Sequence, residues 1–404
     1  MHATLEQSGQ PATLDTTCPV CHARDSTAFI DIRQVPVHCN LLWATRAEAF
    51  HVPRGDILLG FCPHCGHVFN LMFDPALMEY TQQYENSLHF SPHFQRYAET
   101  LAARLIADYD LRQKDIVEIG SGKGEFLALL CRLGANRGVG FDPSYVPDPA
   151  LEGYDQQVTF VQDFYSERYA DYPADLICCR HVLEHIPTPR DFIASVRRAV
   201  GSRRHTVVFF EVPNVLFMLR DLSIWDIIYE HCAYYSSSSL TYLFQVCGFA
   251  VLRLQPAFGG QFLAIEARLA DQPLSMTHVG GESLEQLHQH VAAFATNYRE
   301  KVETWNHRLV ECAHTGQRVV VWGAGSKGVT FLNVLQARDQ IEYVVDLNPR
   351  KHGKYVAGSG QQIVAPAFLR DYQPDVVIVM NPLYMNEIQQ MTCDLGLRTE
   401  VIGV

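Results

Sequence analysis

Two pairs of cysteines are the first residues in this chain suited to chemistry. Cys18-Pro-Val-Cys21 and Cys62-Pro-His-Cys65 each leave two residues between thiols, so both sulfurs of a pair can reach one tetrahedral ion. Two such pairs in a short, core-poor segment point to one structural Zn²⁺ in a closed Cys₄ site; buried or redox-active thiols are the other reading. His22, His38, Cys39, His64 and His67 lie nearby in sequence and are expected at the surface or around the ion rather than on it.

A second set is Glu118-Ile-Gly120-Ser121-Gly122-Lys-Gly124, which follows an apolar run and opens a helical one. Glycines there permit a tight turn and let a ligand approach the backbone. Asp142 ends the next apolar run, 20 residues after Gly122, where a carboxylate can accept from ribose hydroxyls. Asp163 follows the third run, and Arg180-His-Val-Leu-Glu-His185-Ile-Pro follows the fourth. A third set, Gly323-Ala-Gly325-Ser-Lys327-Gly328, lies between Arg318–Trp322 and a run ending in Asp346. It fits a dinucleotide fingerprint, a pyrophosphate at a helix N-terminus beside Lys327, or close packing with no ligand. Finally, Trp225-Asp-Ile-Ile-Tyr229-Glu230-His231-Cys-Ala-Tyr234 offers a Glu–His pair among tyrosines. It reads as a general base with an orienting carboxylate, or as an aromatic patch beneath the next domain.

These residues need elements to hold them. Residues 1–17 are polar and expected to be disordered, and 76–113 read as helical. From about 115 to 212 short β-rich runs alternate with helical ones, which predicts a parallel sheet covered by helices on both faces. Two β-like runs follow, Ala250–Gln255 and Gln261–Arg268. Residues 281–313 place Leu284, Leu287, Val291, Phe294, Tyr298, Val302, Trp305, Leu309 and Cys312 on one helical face, a packing stripe. A second β/α alternation ends the chain. The expected organisation is α/β: a zinc-binding module over 1–75, a Rossmann-like domain carrying the first glycine loop over 76–275, and a Rossmann-like C-terminal domain over 276–404.

The composition is that of an ordinary globular protein: 48% hydrophobic and 19% charged residues over 404. A net charge of −12 with no basic run argues against a nucleic-acid partner. There is no long apolar stretch to span a membrane and no basic-then-apolar start to direct export. Twelve cysteines without an export signal then suggest a reducing cytoplasm.

The ordered set Glu118 to Pro189 closely resembles the S-adenosylmethionine (SAM)-binding motifs of class I methyltransferases, which makes 76–275 the SAM-binding domain. That resemblance implies Glu118, Gly120, Ser121, Gly122 and Gly124 around the methionine and ribose of SAM, Asp142 at the ribose hydroxyls and Asp163 at the adenine. The whole order resembles the sugar C-methyltransferases of deoxysugar biosynthesis: cysteine pairs, glycine loop, Glu-His-x-x-Tyr-x-Ser segment, second glycine loop with Val345-Asp-Leu-Asn348. In that family a base removes the proton beside the ketone of a nucleotide-linked 4-keto-6-deoxysugar, and the enolate attacks the SAM methyl. The resemblance makes His231 the base and Glu230 its neighbour, with Tyr229, Tyr84 and His185 in the same catalytic site. It places the substrate against Gly323, Gly325, Lys327 and Tyr234. The chain departs from the family pattern where Tyr229 abuts Glu230 and at Val379-Met-Asn381-Pro-Leu-Tyr384. Three other readings stand beside this one: an O- or N-methyltransferase of another polar metabolite, an oxidoreductase with NAD at the second loop, and a zinc-ribbon partner-binding protein with a vestigial SAM site.

Overall fold

The computed structural model describes residues 15–78, 84–147, 157–271 and 282–404. Most of the polar tail expected over 1–17 and Tyr80 lie outside them. Strands β1 (Thr27–Pro36), β2 (Arg54–Phe61) and β3 (Val68–Asn70) pair antiparallel. The first cysteine pair precedes β1; the second forms the turn between β2 and β3. In both knuckles the residue after the second cysteine has a positive φ, His22 at 64° and Gly66 at 75°. At Gly66 a Cβ would lie 2.8 Å from Leu287 and 2.9 Å from Leu284, so glycine is required twice over.

The stretch 76–113 is not helical throughout. Among its described residues the α-helix runs from Pro92 to Tyr109, started by the Ser91 side chain, which accepts from Phe94 N–H, and by Pro92 in the first turn. Tyr84 to Ser91 instead line a cavity.

The next sheet contains β4 (Asp115–Ile119), β5 (Arg137–Phe141), β6 (Val158–Val161), β7 (Leu176–Arg180) and β8 (Val207–Pro213). The chain then crosses to the first sheet, where β9 (Ala233–Tyr234) pairs with β3. It returns as β10 (Phe249–Ala257) and β11 (Phe262–Leu269). The strand order is β10-β11-β8-β7-β4-β5-β6, parallel from β8 to β6 and antiparallel at β11 and β10. Order reverses between β4 and β7, and ligands bind at the carboxyl ends of strands at such a switch point.

The long helix runs Leu284–His314, started by a Ser283/Gln286 capping box. Its buried stripe packs on β1, with Phe29 and Phe294 edge to face at 6.0 Å. A third sheet follows: β12 (Val319–Trp322), β13 (Ile341–Val345), β14 (Gln362–Val364), β15 (Val376–Val379) and β16 (Glu400–Gly403). All five are parallel in the order β14-β13-β12-β15-β16.

One apolar core joins residues of β1–β3, the long helix and the third sheet, including Ile57, Phe61, Phe294, Trp305, Val321 and Phe331. A second joins Cys18, Cys62 and Cys65 to Tyr235 just after β9, to Phe244 of the helix Ser237–Val246 and to Phe210 of the central sheet. The N-terminal sheet is therefore wedged between the two Rossmann-like sheets. Because β9 begins two residues after His231, that wedge also anchors the Glu230–His231 segment.

Candidate active site

The first glycine loop turns between β4 and the helix Glu125–Gly134 with φ of 69° at Gly120, 56° at Gly122 and 91° at Gly124. A Cβ at Gly120 would fall 2.1 Å from Val182, whereas one at Gly122 would meet nothing within 4 Å. Gly122 N–H donates to Asp142 Oδ2 at 2.8 Å, and Ser144 N–H to Oδ1 at 2.8 Å, so the strand-end carboxylate braces the loop. Glu118 Oε2 and Ser121 Oγ are buried beside this loop with no hydrogen-bond partner among the described residues. Burial raises the Glu118 carboxyl to about 8, despite the opposing field of Arg180. Positive-φ glycines, one open Cβ position and two orphaned oxygens are what a cofactor carrying an ammonium and hydroxyls would satisfy. Asp163 lies beyond β6, where Tyr169 Oη donates to it at 2.5 Å and Arg168 pairs with it.

A cavity of about 290 Å³ opens between this sheet and the third one. His185, Glu230, His231, Tyr84 and Tyr234 line one side, and Gly323, Gly325, Lys327 and Asp346 the other. The His185 and His231 rings meet edge to face with centroids 4.9 Å apart. His185 Nδ1–H donates to the Glu230 backbone carbonyl at 2.9 Å, which leaves Nε2 as its lone-pair nitrogen. His231 is neutral: burial, then the fields of His185, His181 and Lys327, push its imidazole well below the ordinary value.

The adjacent pair Glu230–His231 does not act as one unit. Glu230 turns away into a pocket where Cys39 N–H donates to Oε1 at 3.3 Å, His38 Nδ1 lies at 3.4 Å and Tyr84 Oη donates to Oε2 at 3.4 Å. His38 and Cys39, expected around the cysteine cluster, thus belong to this site. The carboxylate that does approach His231 is Glu184, which clusters with His185 and His231. Tyr229 does not reach the cavity, contrary to the role the resemblance implies. Its hydroxyl accepts from Asp74 N–H at 2.9 Å, and its ring covers Gly55, where a Cβ would lie 2.2 Å from Cε2. The aromatic segment therefore divides. Trp225 and Tyr229 are the packing patch, with Trp225 edge to face on Phe331 at 4.9 Å, while Glu230 and His231 face the cavity. Tyr234 presents its ring to the cavity but spends its hydroxyl on Ile228, donating to the carbonyl and accepting from N–H at 3.2 Å each.

The second glycine loop repeats the first in detail. Gly323 N–H donates to Val345 O at 2.8 Å, as Gly120 N–H does to Phe141 O at 2.8 Å. Ala324 N–H donates to Asp346 Oδ2 at 2.8 Å and Asn348 N–H to Oδ1 at 2.9 Å, matching the bracing by Asp142. Lys327 corrects an expectation: its ammonium pairs with Asp226 and donates to Ser223 Oγ at 3.3 Å, so it does not offer an unshared charge to a diphosphate.

Charged groups below the histidines were not singled out from sequence. Arg180 makes two bonds to Glu211 Oε1, at 3.0 and 2.8 Å, and Tyr97 Oη donates to Oε2. Burial would raise Glu211, but Arg180 and His181 outweigh it and hold the carboxyl at about 2. Burial would likewise lower His181, but Glu184 and Glu211 outweigh it and raise the imidazole to about 9. The signal for Glu211 was an acidic residue inside the apolar run Val207–Val212, near the carboxyl end of a central strand.

The four sulfurs of Cys18, Cys21, Cys62 and Cys65 converge within 4.8 Å of one another, with Cys18–Cys65 at 3.6 Å and Cys21–Cys62 at 3.4 Å. His22 and His64 face outward, near Arg190 at 3.4 Å and Asp25 at 2.7 Å. His67 is buried against Phe69 and Tyr235.

Residues 93–254 match a family described as a methyltransferase domain, and residues 278–396 one described as the C-methyltransferase C-terminal domain. C-methyltransferase NovU from Streptomyces niveus is 26% identical over 313 residues, covering 73% of this chain and 72% of that protein. Ubiquinone biosynthesis O-methyltransferase from Proteus mirabilis is 29% identical over 107 residues, 25% of this chain and 42% of that protein. A solved structure of magnesium protoporphyrin IX methyltransferase from Synechocystis PCC 6803 with bound SAH has a TM-score of 0.35 and 18% identity, covering 44% of this chain and 84% of that one. Among the described residues no helix is long and apolar enough to cross a membrane.

Proposed function

We propose that this chain is a SAM-dependent C-methyltransferase whose acceptor is a nucleotide-linked keto-deoxysugar, methylated through an enolate in the cytoplasm, a reading supported by its two methyltransferase family matches and its likeness to a C-methyltransferase. The observation that carries this reading is a pair of imidazoles, His185 and His231, facing a cavity walled on its far side by a second nucleotide-type loop. O- or N-methylation asks only for a positioned nucleophile. A half-buried imidazole held below its ordinary pKa beside a cavity spanning two Rossmann-like sheets suits removal of a proton from carbon.

His231 accepts the proton beside the ketone, a transfer a positioned base accelerates by roughly 10²–10⁴. His185, fixed by the Glu230 carbonyl, holds the His231 segment and offers its own ring to the departing proton or to the ketone's neighbours. Tyr84 and Glu230 form the polar floor, and Tyr234 supplies an apolar wall. When bound, SAM supplies the electrophilic methyl group. Glu118, Gly120, Ser121, Gly122, Gly124, Asp142 and Asp163 hold it. Gly323 and Gly325 face the nucleotide end of the sugar through the N-terminus of the helix Ser326–Val334. Cys18, Cys21, Cys62 and Cys65 hold one Zn²⁺, which closes both knuckles and thereby sets β3, and β9 against it.

Isotopically labelled SAM, offered with a panel of nucleotide-linked 4-keto-6-deoxysugars, tests this reading. Label on a sugar carbon is expected. Label on oxygen or nitrogen, or none with SAM binding intact, would refute the acceptor.

A further inference from the structure

Glu184, His185 and His231 offer ligand atoms that lie within 4.8 Å of one another at the cavity wall. Proton removal alone does not require three such donors to converge. Two of them are held as metal ligands are held. His185 donates Nδ1–H to a backbone carbonyl at 2.9 Å, which fixes its tautomer and turns Nε2 into the lone-pair nitrogen. His181 Nδ1 stands 3.6 Å from Glu184 Oε1 and orients that carboxylate, whose Oε2 is buried without a hydrogen-bond partner. His231 Nδ1 is likewise buried and without a partner among the described residues. Buried polar atoms ordinarily find partners, so two atoms orphaned among the described residues, converging with a preorganised imidazole, point to a shared ligand.

We propose that Glu184, His185 and His231 bind one divalent transition-metal ion, distinct from the ion of the four-cysteine cluster. Two imidazoles and a carboxylate suit Zn²⁺, Co²⁺, Ni²⁺ or Fe²⁺ rather than the all-oxygen preference of Ca²⁺ or Mg²⁺. Three protein ligands leave coordination positions open toward the cavity. Small side-chain rotations bring the donors to bonding distances of about 2.1 Å. An ion there occupies the His231 lone pair, so binding is a reversible brake on proton abstraction. That consequence rests on the base role proposed above; the site itself does not.

The test uses the full chain with its cysteine cluster loaded with zinc, titrated with Co²⁺ without substrate and followed by visible absorption and calorimetry. One further equivalent is expected, with weak ligand-field bands and no thiolate charge transfer. Glu184→Gln and His185→Ala should each weaken it by roughly tenfold or more while SAH binding is retained. No further equivalent, thiolate bands alone, or a further equivalent indifferent to both substitutions would overturn the site. Solvent exchange of a keto-sugar should stop when the ion is bound. Normal exchange with the ion in place would refute His231 as base and leave the site standing.

Discussion

The hydroxyl of Tyr229 accepts the backbone N–H of Asp74 at 2.9 Å, so this tyrosine ties the segment carrying His231 to the chain leaving β3. It is a structural tether, whereas Tyr84 lines the cavity. Tyr229→Phe should therefore lower stability by about 1 kcal/mol and leave kcat/KM within roughly threefold. Tyr84→Phe should lower kcat/KM roughly tenfold or more, because Glu230 Oε2 loses a donor in a buried pocket. Thermal melts and steady-state kinetics on both variants check this, and the reverse ranking would return Tyr229 to the active site.

The two tight glycines should separate folding from cofactor binding. Gly120→Ala drives a Cβ to within 2.1 Å of Val182 and should destabilise the fold by roughly 1–3 kcal/mol. Gly122→Ala meets no protein atom within 4 Å and should cost about 1 kcal/mol of stability, from its positive φ alone. Its larger effect should be on SAM affinity, measured by calorimetry, because the space it enters is the cofactor's.

Glu118 makes a prediction with a definite sign in pH. Its folded carboxyl titrates near 8, above its unfolded value of 4.5, so the unfolded chain sheds this proton first. The group's contribution to stability is intact below pH 4.5 and is lost as pH rises toward 8. Glu118→Gln removes that loss and should stabilise the SAM-free protein at pH 8 by on the order of 4 kcal/mol, with little gain at pH 4.5. Denaturant melts at the two pH values decide it. Equal effects at both would mean that Glu118 is already ionised in the folded chain.

The cysteine cluster should matter at a distance. The Cys62–Cys65 turn leads into β3, β3 pairs with β9, and β9 begins two residues after His231. Removing the ion with a chelator, or making Cys65→Ser, should lower the melting temperature and reduce methyl transfer together. Full activity in metal-free protein would show that the ion does not position His231.

The fold was legible wherever the sequence had a clear period or a glycine loop. β4, β5, β6, β7 and β8 follow the apolar runs read between about 115 and 212, and the stripe from Leu287 to Cys312 gives the long helix. What escaped were β1 and β2, where register shifts at Ala28/Ile30 and Ile32/Val35 interrupt the alternation of β1, and pieces too short to carry a period: two-residue β9 and the edge strands β14 and β16. The site was legible in membership but not in direction. Glu230 and His231 are neighbours in sequence, which suggested a carboxylate orienting an imidazole, yet in the irregular turn from Ile227 to Cys232 their side chains diverge. Glu184 takes the place expected of Glu230 because the one-turn helix Leu183–His185 brings it to His231 from another strand end. Lys327 was misjudged for a related reason: its partner Asp226 is about a hundred residues away, and no local pattern announces such a pair.

The central claim is that His231 removes a proton from carbon. Its most direct test is deuterium uptake beside the ketone of a nucleotide-linked 4-keto-6-deoxysugar in D₂O, compared between the native chain and His231→Gln. The native chain should wash in deuterium even with SAH in place of SAM. The variant should lose exchange and methyl transfer together by roughly 10²–10⁴, with SAH affinity unchanged. Exchange at the native rate in His231→Gln would place the base elsewhere and contradict the account.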